Sequence, residues 1–376
     1  MWPTDGPGRC LVALAGGAAL AAGGTAPIAA SAPVTMPQVH PSATARRLPD
    51  FGNPGGRAAV PGAAAAVGTS RPDHVVGTRT PASCTSTAVV RAVASGGVIT
   101  FDCGPSPVTI TMTATAKVVN TSHRIVLDGG GTVTLSGAGK RQILYMNTCD
   151  KAQQWTTSDC YDQEWPELVV QNMTFEDGNS TVSQSRGTSF GGGGGAIFDL
   201  GGQLKVVNSR FIDNRCYDVG PDLGGAAVRA LAQWRNKPVY ITNDTFRGGR
   251  CSNGAALSSI GVSWVVLNSI MTNNDAIGYG ANPASSGTPG GGSGGAIYCD
   301  GDTYSLEIEG TVIRDNHARE GGGAIFFVSD DNTGTLTIES STLQDNPSAG
   351  FWTRPYPGIF FQSYGHSPKV VGSTIS

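Results

Sequence analysis

The sequence has few charged residues and no excess of either sign. It has 376 residues, with 25 Lys or Arg against 28 Asp or Glu and a formal charge of −3, which excludes a strongly basic nucleic-acid binder. The 54 glycines follow no G-X-Y period, which excludes a collagen. No glycine run is followed by Lys-Ser or Lys-Thr, so a phosphate-binding P-loop is excluded as well. We therefore expect no nucleic-acid partner.

Long apolar runs are also missing. The run at 11–22 is too short and too broken by glycine to span a bilayer, and small residues suited to signal cleavage follow it at 29–32. We predict a secretory signal peptide over 1–32. Residues 33–81 are Pro, Gly and Ala with few aromatics, which predicts a disordered linker. We expect a folded domain over 82–376, secreted or at the cell surface, with no transmembrane anchor after signal removal.

What is abundant is a repeated strand phrase, such as KVVNSRF or VYITNDTF. Its apolar anchor recurs at intervals of 25 to 42 residues, and fixed phrases at such periods indicate a stacked architecture. The phrases alternate β-branched residues and contain few helix formers, so the repeats are β coils. Variable intervals favour an all-β solenoid over a propeller. The anchors are Phe175, Phe211, Phe246, Met271, Ile313, Leu343 and Ile375.

A second phrase, GGAI and its variants, lies between most successive anchors. Its glycines permit the positive φ of tight turns, and its aliphatic residue points into the core. A third recurring position is an asparagine three residues after an anchor. We predict that these asparagines form a side-chain ladder along the solenoid, because stacked amides bond to one another. They are Asn214, Asn274, Asn316 and Asn346.

Seven cysteines follow Cys10, and none belongs to a C-x-x-C pair, so disulfides are favoured over metal ligation. Two of them stand five residues after successive anchors, at a coil spacing that a disulfide accepts. A second bond would tie a cap helix at 85–94 to the first strand, and a third would close the loop at 149–160. The predicted pairs are Cys84–Cys103, Cys149–Cys160 and Cys216–Cys251, with Cys299 left as an inward, unpaired thiol.

The residue after each inward aliphatic of the glycine phrase should point outward. Four of these residues are aromatic and one is Arg229, so we predict one stripe along an outer face, suited to stacking on sugar rings. The alternative is that loops cover the stripe as a satellite core. The aromatics are Phe198, Tyr298, Phe326 and Phe360. Trp155 and Trp165, near the loop at 149–160, are further candidates for glycan contact or for a packed cap.

With the early coils GGVITFDCG and RIVLDGGGTVTLSG, the chain resembles the pectin-lyase-like superfamily over about residues 84–376. The resemblance implies a right-handed parallel β-helix with a short N-terminal cap helix. The GGAI and FxxN repeats are also similar to those of polymorphic outer-membrane adhesins. The NTD, GHG and RIK phrases of polygalacturonases are absent, which excludes that hydrolase family.

The resemblance to pectate lyases implies a lyase on an acidic, uronate polysaccharide, with a basic residue abstracting a proton and calcium as cofactor. On that basis the candidate catalytic residues are Arg229, Asp199 and Asp222, and the metal ligands Asp222 and Asp300. A second cluster, also with acid, base and cation, is His317, Arg319 and Glu320. The alternative is a non-catalytic adhesin or glycan-binding module, with a cell-wall glycan as partner.

Overall fold

The computed structural model describes residues 51–181 and 192–376. It contains one α-helix, α1 (Ser86–Ser95), and short 3-10 turns, and otherwise β-strands. The strands are β1 (His74–Val76), β2 (Gly97–Phe101), β3 (Val108–Thr111), β4 (Ala116–Lys117), β5 (Arg124–Arg141), β6 (Leu144–Asn147), β7 (Glu167–Gly178), β8 (Ile197–Leu200), β9 (Gln203–Val207), β10 (Arg210–Ile212), β11 (Val228–Leu231), β12 (Val239–Thr242), β13 (Thr245–Arg247), β14 (Arg250–Cys251), β15 (Leu257–Ile260), β16 (Trp264–Leu267), β17 (Ile270–Thr272), β18 (Asp275–Ala276), β19 (Ile297–Asp300), β20 (Ser305–Glu309), β21 (Val312–Arg314), β22 (His317–Ala318), β23 (Ile325–Val328), β24 (Thr335–Glu339), β25 (Thr342–Gln344), β26 (Ile359–Gln362), β27 (Lys369–Val371) and β28 (Thr374–Ile375).

The strands form three sheets, of seventeen, eight and three strands. Every pairing between these strands is parallel. One coil runs through the eight-stranded sheet with β15, the seventeen-stranded sheet with β16 and β17, and the three-stranded sheet with β18, and then returns to the eight-stranded sheet with β19. The chain is therefore all-β, and its stacked coils are those of a parallel β-helix.

The repeat register agrees with the prediction. The apolar anchors pair in sequence, from Phe175 with Phe211 and Phe211 with Phe246 to Leu343 with Ile375. The first three rings stack inside the coils, with centroids 5.2 and 4.8 Å apart. Inward residues of all the coils therefore form one continuous apolar core.

The glycine phrase makes the turn into the eight-stranded sheet. Gly225, three residues before the inward Val228, has φ +72°, and a Cβ there would lie 2.2 Å from the carbonyl oxygen of Val228. Gly294 occupies the equivalent place before Ile297, with φ +68° and the same clash at 2.2 Å. The phrase recurs because both the backbone conformation and the space exclude a side chain.

The asparagine ladder is continuous through three of its four predicted members. Asn274 Nδ2 donates to Asn316 Oδ1 at 2.8 Å, and Asn316 Nδ2 donates to Asn346 Oδ1 at 2.9 Å. Asn214 has no asparagine to bond in either neighbouring coil, because the equivalent positions are Gly178 and Gly249. Its Oδ1 still accepts from Gly178 N, as Asn274 Oδ1 accepts from Gly249 N. A second ladder was not predicted. In it, side-chain oxygens of Ser, Thr and Asp accept hydrogen bonds from main-chain N–H groups of the preceding coil.

The three predicted disulfides are present: Cys84–Cys103, Cys149–Cys160 and Cys216–Cys251. Cys299 is buried and unpaired, also as predicted. The cap helix α1 begins after Thr85, whose side chain accepts a hydrogen bond from Ala88 N, and it packs its apolar face on the first coils. Within the described part of the chain, no helix is long and apolar enough to cross a membrane.

Over 51–81, the described part of the linker expected at 33–81, the chain is ordered; residues 33–50 lie outside the described residues. Residues 51–73, called here the N-terminal strap, run along the outside of the coils, and β1 then pairs with β2. Asn268 binds both the N–H and the C=O of Ala58, at 2.8 and 3.0 Å. Gln171 binds both groups of Val67, at 2.8 and 2.9 Å. The strap has few core-forming residues, of which Ala58 and Ala64 pack on Leu267, and side-chain amides of the coils replace a strand partner for it. The predicted signal at 1–32 lies outside the described residues.

Candidate functional site

The strand pairing places the predicted outward residues in one row, as the stripe requires. Phe198 pairs with Arg229, Arg229 with Ser258, and Ser258 with Tyr298. Tyr298, Phe326 and Phe360 continue it, with successive ring centroids 5.0 Å apart. Most of it is buried, however: Phe198 is 2% exposed, Tyr298 0% and Phe326 1%. The stripe is therefore largely a covered aromatic stack, and only Phe360 at its end is half-exposed.

Loops from the glycine-rich returns cover the stripe. The loop at 278–295 carries antiparallel bridges that join Tyr279 to Gly290 and Ala281 to Gly291. Its Asn282 side chain reaches over Tyr298 and donates to the Tyr298 hydroxyl. The loop thus packs on the sheet, because a polar amide at its tip meets polar partners on the outer face.

Arg229 lies beneath this cover. It is 0% exposed, and its guanidinium donates to Ser258 Oγ and to the main-chain oxygen of Asp222, both at 2.5 Å. Burial lowers its pKa to about 10, while Tyr298, Asp222 and Asp300 oppose that shift. Arg229 therefore anchors the loop that carries Asp222 and has no open path to a polysaccharide.

Asp222 and Asp300 lie close together. Asn282 Nδ2 donates to Asp300 Oδ2 at 2.8 Å and to Asp222 Oδ1 at 3.1 Å. The Tyr298 hydroxyl donates to Asp300 Oδ2 at 2.7 Å. Burial raises the pKa of Asp300, its bond from Tyr298 lowers it, and the charges of Asp330 and Asp222 raise it. Two carboxylates from separate coils are thereby coupled through one amide.

These carboxylates border a cleft of about 480 Å³. A third carboxylate, Asp330, stands at its edge, and its pKa is raised by desolvation and by neighbouring aspartates. The opposite wall is apolar: Phe326, Phe351 and Phe360 meet there, with Phe351 edge-on to Phe360 at 4.8 Å. We call this the acidic cleft.

Three residues of the acidic cleft were missed from sequence. Asn282 and Phe351 lie outside the strand phrases, so no periodicity marks them. Asp330 is part of DDNTG, whose turn-like composition concealed its position next to Asp300. Each belongs to a loop, where the sequence pattern does not fix which coil the loop folds against.

Asp199 is not part of the cleft. Its side chain points inward. It pairs with Met146 and Ala230 of the neighbouring coils, which belong to the core, and it is 0% exposed. Gln233 Nε2 donates to its Oδ2 at 2.6 Å, and desolvation raises its pKa well above the ordinary value. Strand alternation explains the error: Asp199 directly follows the outward Phe198.

His317, Arg319 and Glu320 do not converge on one point. His317 Nδ1 lies 2.9 Å from Asp275 Oδ1 on the exposed three-stranded sheet. Arg319 stacks over the Tyr279 ring at 4.8 Å, and Glu320 accepts from Gly280 N at 2.8 Å. The last two hold the loop at 278–295 in place, so this cluster acts as support for that loop.

The two tryptophans also lie apart from the acidic cleft. Trp155 is 46% exposed, with the Lys151 ammonium 5.1 Å from its ring. Trp165 stacks on His123 with centroids 4.4 Å apart. Neither lines the cleft, so the insertion closed by Cys149–Cys160 does not extend over it.

The acidic cleft does not fit a resident calcium ion. Calcium takes roughly six to eight oxygen ligands, and among residues 51–181 and 192–376 no three His, Cys, Asp or Glu side chains are grouped to hold a metal. The space between Asp222 and Asp300 is taken by the amide nitrogen of Asn282, which is a donor. No step of the chemistry is therefore assigned to calcium.

Comparisons with known proteins leave the site to be judged on its own geometry. No protein-family model, curated protein or solved structure matches the chain. The evidence for the parallel coils is therefore the strand pairing itself, and the evidence for a chemical role is the geometry of the acidic cleft.

Proposed function

We propose that the protein is an exported carbohydrate-active β-helix protein that binds a glycan in the acidic cleft and cleaves it with Asp222 and Asp300 as an acid–base pair. The observation that carries the proposal is the convergence of these two carboxylates, from separate coils, on one cleft that phenylalanines also line. The three disulfides are typical of an oxidising compartment outside the cytosol. A right-handed winding of the pectin-lyase-like type belongs to the same proposal, supported by the rule for parallel crossovers.

Asp300 is the proton donor in this proposal. Its pKa is raised, chiefly by burial, which favours the protonated acid that a leaving sugar oxygen needs. Asp222 supplies the second carboxylate, which activates water or attacks the sugar. Two carboxyl groups flanking the scissile bond are the usual arrangement in glycoside cleavage.

The walls indicate the class of glycan. Phe351 and Phe360, which are partly exposed, offer apolar ring surface to the apolar face of a sugar. Asp222 and Asp330 add negative charge to the same cleft, and a uronate carboxylate there would be repelled. A neutral polysaccharide therefore suits the cleft better than the uronate polymer expected from sequence.

Elimination with Arg229 as base has less support than acid–base cleavage. The guanidinium is 0% exposed and bonds to Ser258 and the Asp222 main chain. A base must lie within hydrogen-bond reach of the proton that it removes. Arg229 instead fixes the position of Asp222.

A non-catalytic glycan-binding module is the second candidate. Asn282 donates to both carboxylates, and the Tyr298 hydroxyl donates to Asp300. Carboxylates held in this way can accept sugar hydroxyls without transferring a proton. In that case the cleft would bind a glycan chain and leave it intact.

The test is release of reducing ends from a panel of neutral polysaccharides. We expect Asp300→Asn to lower kcat by about 10²–10⁴ with little change in glycan affinity, because it removes the proton donor only. Asp302→Asn, an exposed carboxylate two residues away that does not line the cleft, is the matched control and should keep full activity. Turnover that survives Asp300→Asn would refute the assignment, and binding without turnover in the wild type would establish the binding module.

A further inference from the structure

A second cleft lies on a different face of the coils. It has a volume of about 410 Å³ and is formed where the N-terminal strap, at Gly62 and Ala63, crosses the outer face of β9 and β12. The polar side chains that line it are Arg124, Glu167, Gln203, Lys205 and Lys237. We call it the basic cleft.

Lys205 is the unusual residue of the basic cleft. It is 7% exposed, and within the described ranges its ammonium group makes no hydrogen bond and no ion pair. Desolvation lowers its pKa, which the charge of Glu167 opposes and that of Arg124 reinforces. Most of the Lys205 side chain is covered, while its ammonium group opens into the cleft. A partly desolvated cation without a partner costs free energy.

The neighbouring coils confirm that a lysine is not needed for packing. The outward row of Lys205 continues through Val169 to Val126 in the two preceding coils, and both valines are 0% exposed. An apolar side chain therefore suits this row where the N-terminal strap covers it. Lys205 replaces such a residue at the point where the cleft opens.

The other charges of the basic cleft leave it positive. Arg124 Nε pairs with Glu167 Oε2 at 3.2 Å. Lys237 Nζ has a neutral partner, Gln203 Oε1, at 3.0 Å, and lies 4.2 Å from the Trp234 ring centroid. One carboxylate thus faces three cations, which is the reverse of the acidic cleft.

We propose that the basic cleft binds the anionic group of a sugar, a carboxylate or a sulfate ester, as the ion-pair partner of Lys205. The anion is inferred from the unpaired ammonium of Lys205, which lines the positively charged cleft; that a sugar carries the anion rests on the proposed function of the protein. The glycan would then contact the protein at two places, with neutral residues in the acidic cleft and an anionic residue under the N-terminal strap.

The test is the affinity of the full chain for oligogalacturonides and for a sulfated oligosaccharide at low salt. We expect one or both to bind and Lys205→Met to weaken that binding at least tenfold, since a charge-assisted contact contributes about 1.4 kcal/mol or more. Lys369→Met is the matched control: it removes an exposed cation on the same sheet that is already paired with Glu339 at 2.7 Å. The uronate and sulfate arms identify which anion is recognised.

Absence of binding by both oligosaccharides, or equal loss in Lys205→Met and Lys369→Met, would overturn the proposal. We expect Lys205→Met to raise the Tm without ligand, because it removes an unpaired, partly desolvated charge, and this measurement also shows that the variant folds. Asp300→Asn should leave the affinity for the anionic sugar unchanged. A failure of glycan cleavage in the acidic cleft is thereby separated from a failure of anion binding in the basic cleft.

Discussion

The asparagine ladder makes a graded prediction about stability. Asn316 is 0% exposed and lies within the continuous run. Its Oδ1 accepts from Asn274 N and Asn274 Nδ2, at 3.0 and 2.8 Å. Its Nδ2 donates to the main-chain oxygens of Met271 and Arg314 and to Asn346 Oδ1, at 3.0, 3.0 and 2.9 Å. Asn316→Ala removes all of these bonds at once.

The largest loss is the acceptor of the buried Asn274 N–H, followed by the weakened bonding of the Asn274 amide. At about 1–3 kcal/mol for each buried polar group left unsatisfied, we expect Asn316→Ala to lower the free energy of unfolding by about 3 kcal/mol. Guanidinium unfolding followed by circular dichroism measures it, provided that the transition is cooperative.

Asn214 is the comparison, because it occupies the same place in an earlier coil outside the continuous run. Its side chain accepts from Gly178 N at 2.8 Å and donates to Phe175 O at 3.2 Å. We expect Asn214→Ala to cost about half as much, since fewer buried groups lose a partner. Equal costs at the two positions would refute the ladder as the source of the stabilisation.

Three further predictions concern the core, the coils and the N-terminal strap. The pKa of Asp199 is raised in the folded state above the ordinary value of 3.8, so the protonated carboxyl stabilises the fold below that pH, and this contribution is lost as pH rises. Asp199→Asn should therefore flatten the fall in Tm between about pH 4 and pH 7. An unchanged pH profile of the Tm would contradict this. Replacing Cys216 and Cys251 together with Ser opens a crosslink of 35 residues, and we expect unfolding to become easier by about 4 kcal/mol; a change below about 1 kcal/mol would refute it. Gln171→Leu removes both bonds to Val67, so limited proteolysis should cut the N-terminal strap near residues 60–70 faster than in the wild type. Equal rates of cleavage would show that the Gln171 bonds do not hold the strap in place.

The periodic parts of this fold could be predicted from sequence. Phe211 and Phe246 occupy matching registers because strands of one coil must repeat their inward residues to share a core. The pairing of Cys216 with Cys251 follows from the same register. The asparagine ladder was predictable for the same reason, except at Gly249, where the sequence interrupts it.

The loops and the strap could not be predicted in the same way. Whether an outward residue meets solvent depends on which loop folds over it, and this hides Tyr298 under Asn282. The strap has the composition of a linker, yet Asn268 and Gln171 bind its backbone from positions far along the chain. Such contacts depend on long-range geometry, which local composition and spacing do not encode.

The most direct test of the account is a product assay on purified full-length protein with neutral and uronate polysaccharides, recording reducing ends and absorbance near 235 nm with calcium present or chelated. We expect the protein to release reducing ends from a neutral glycan, without calcium and without a rise in absorbance at 235 nm. Asp300→Asn should abolish this release. A calcium-dependent rise at 235 nm on a uronate polymer that persists in Asp300→Asn would contradict it and establish elimination at another site.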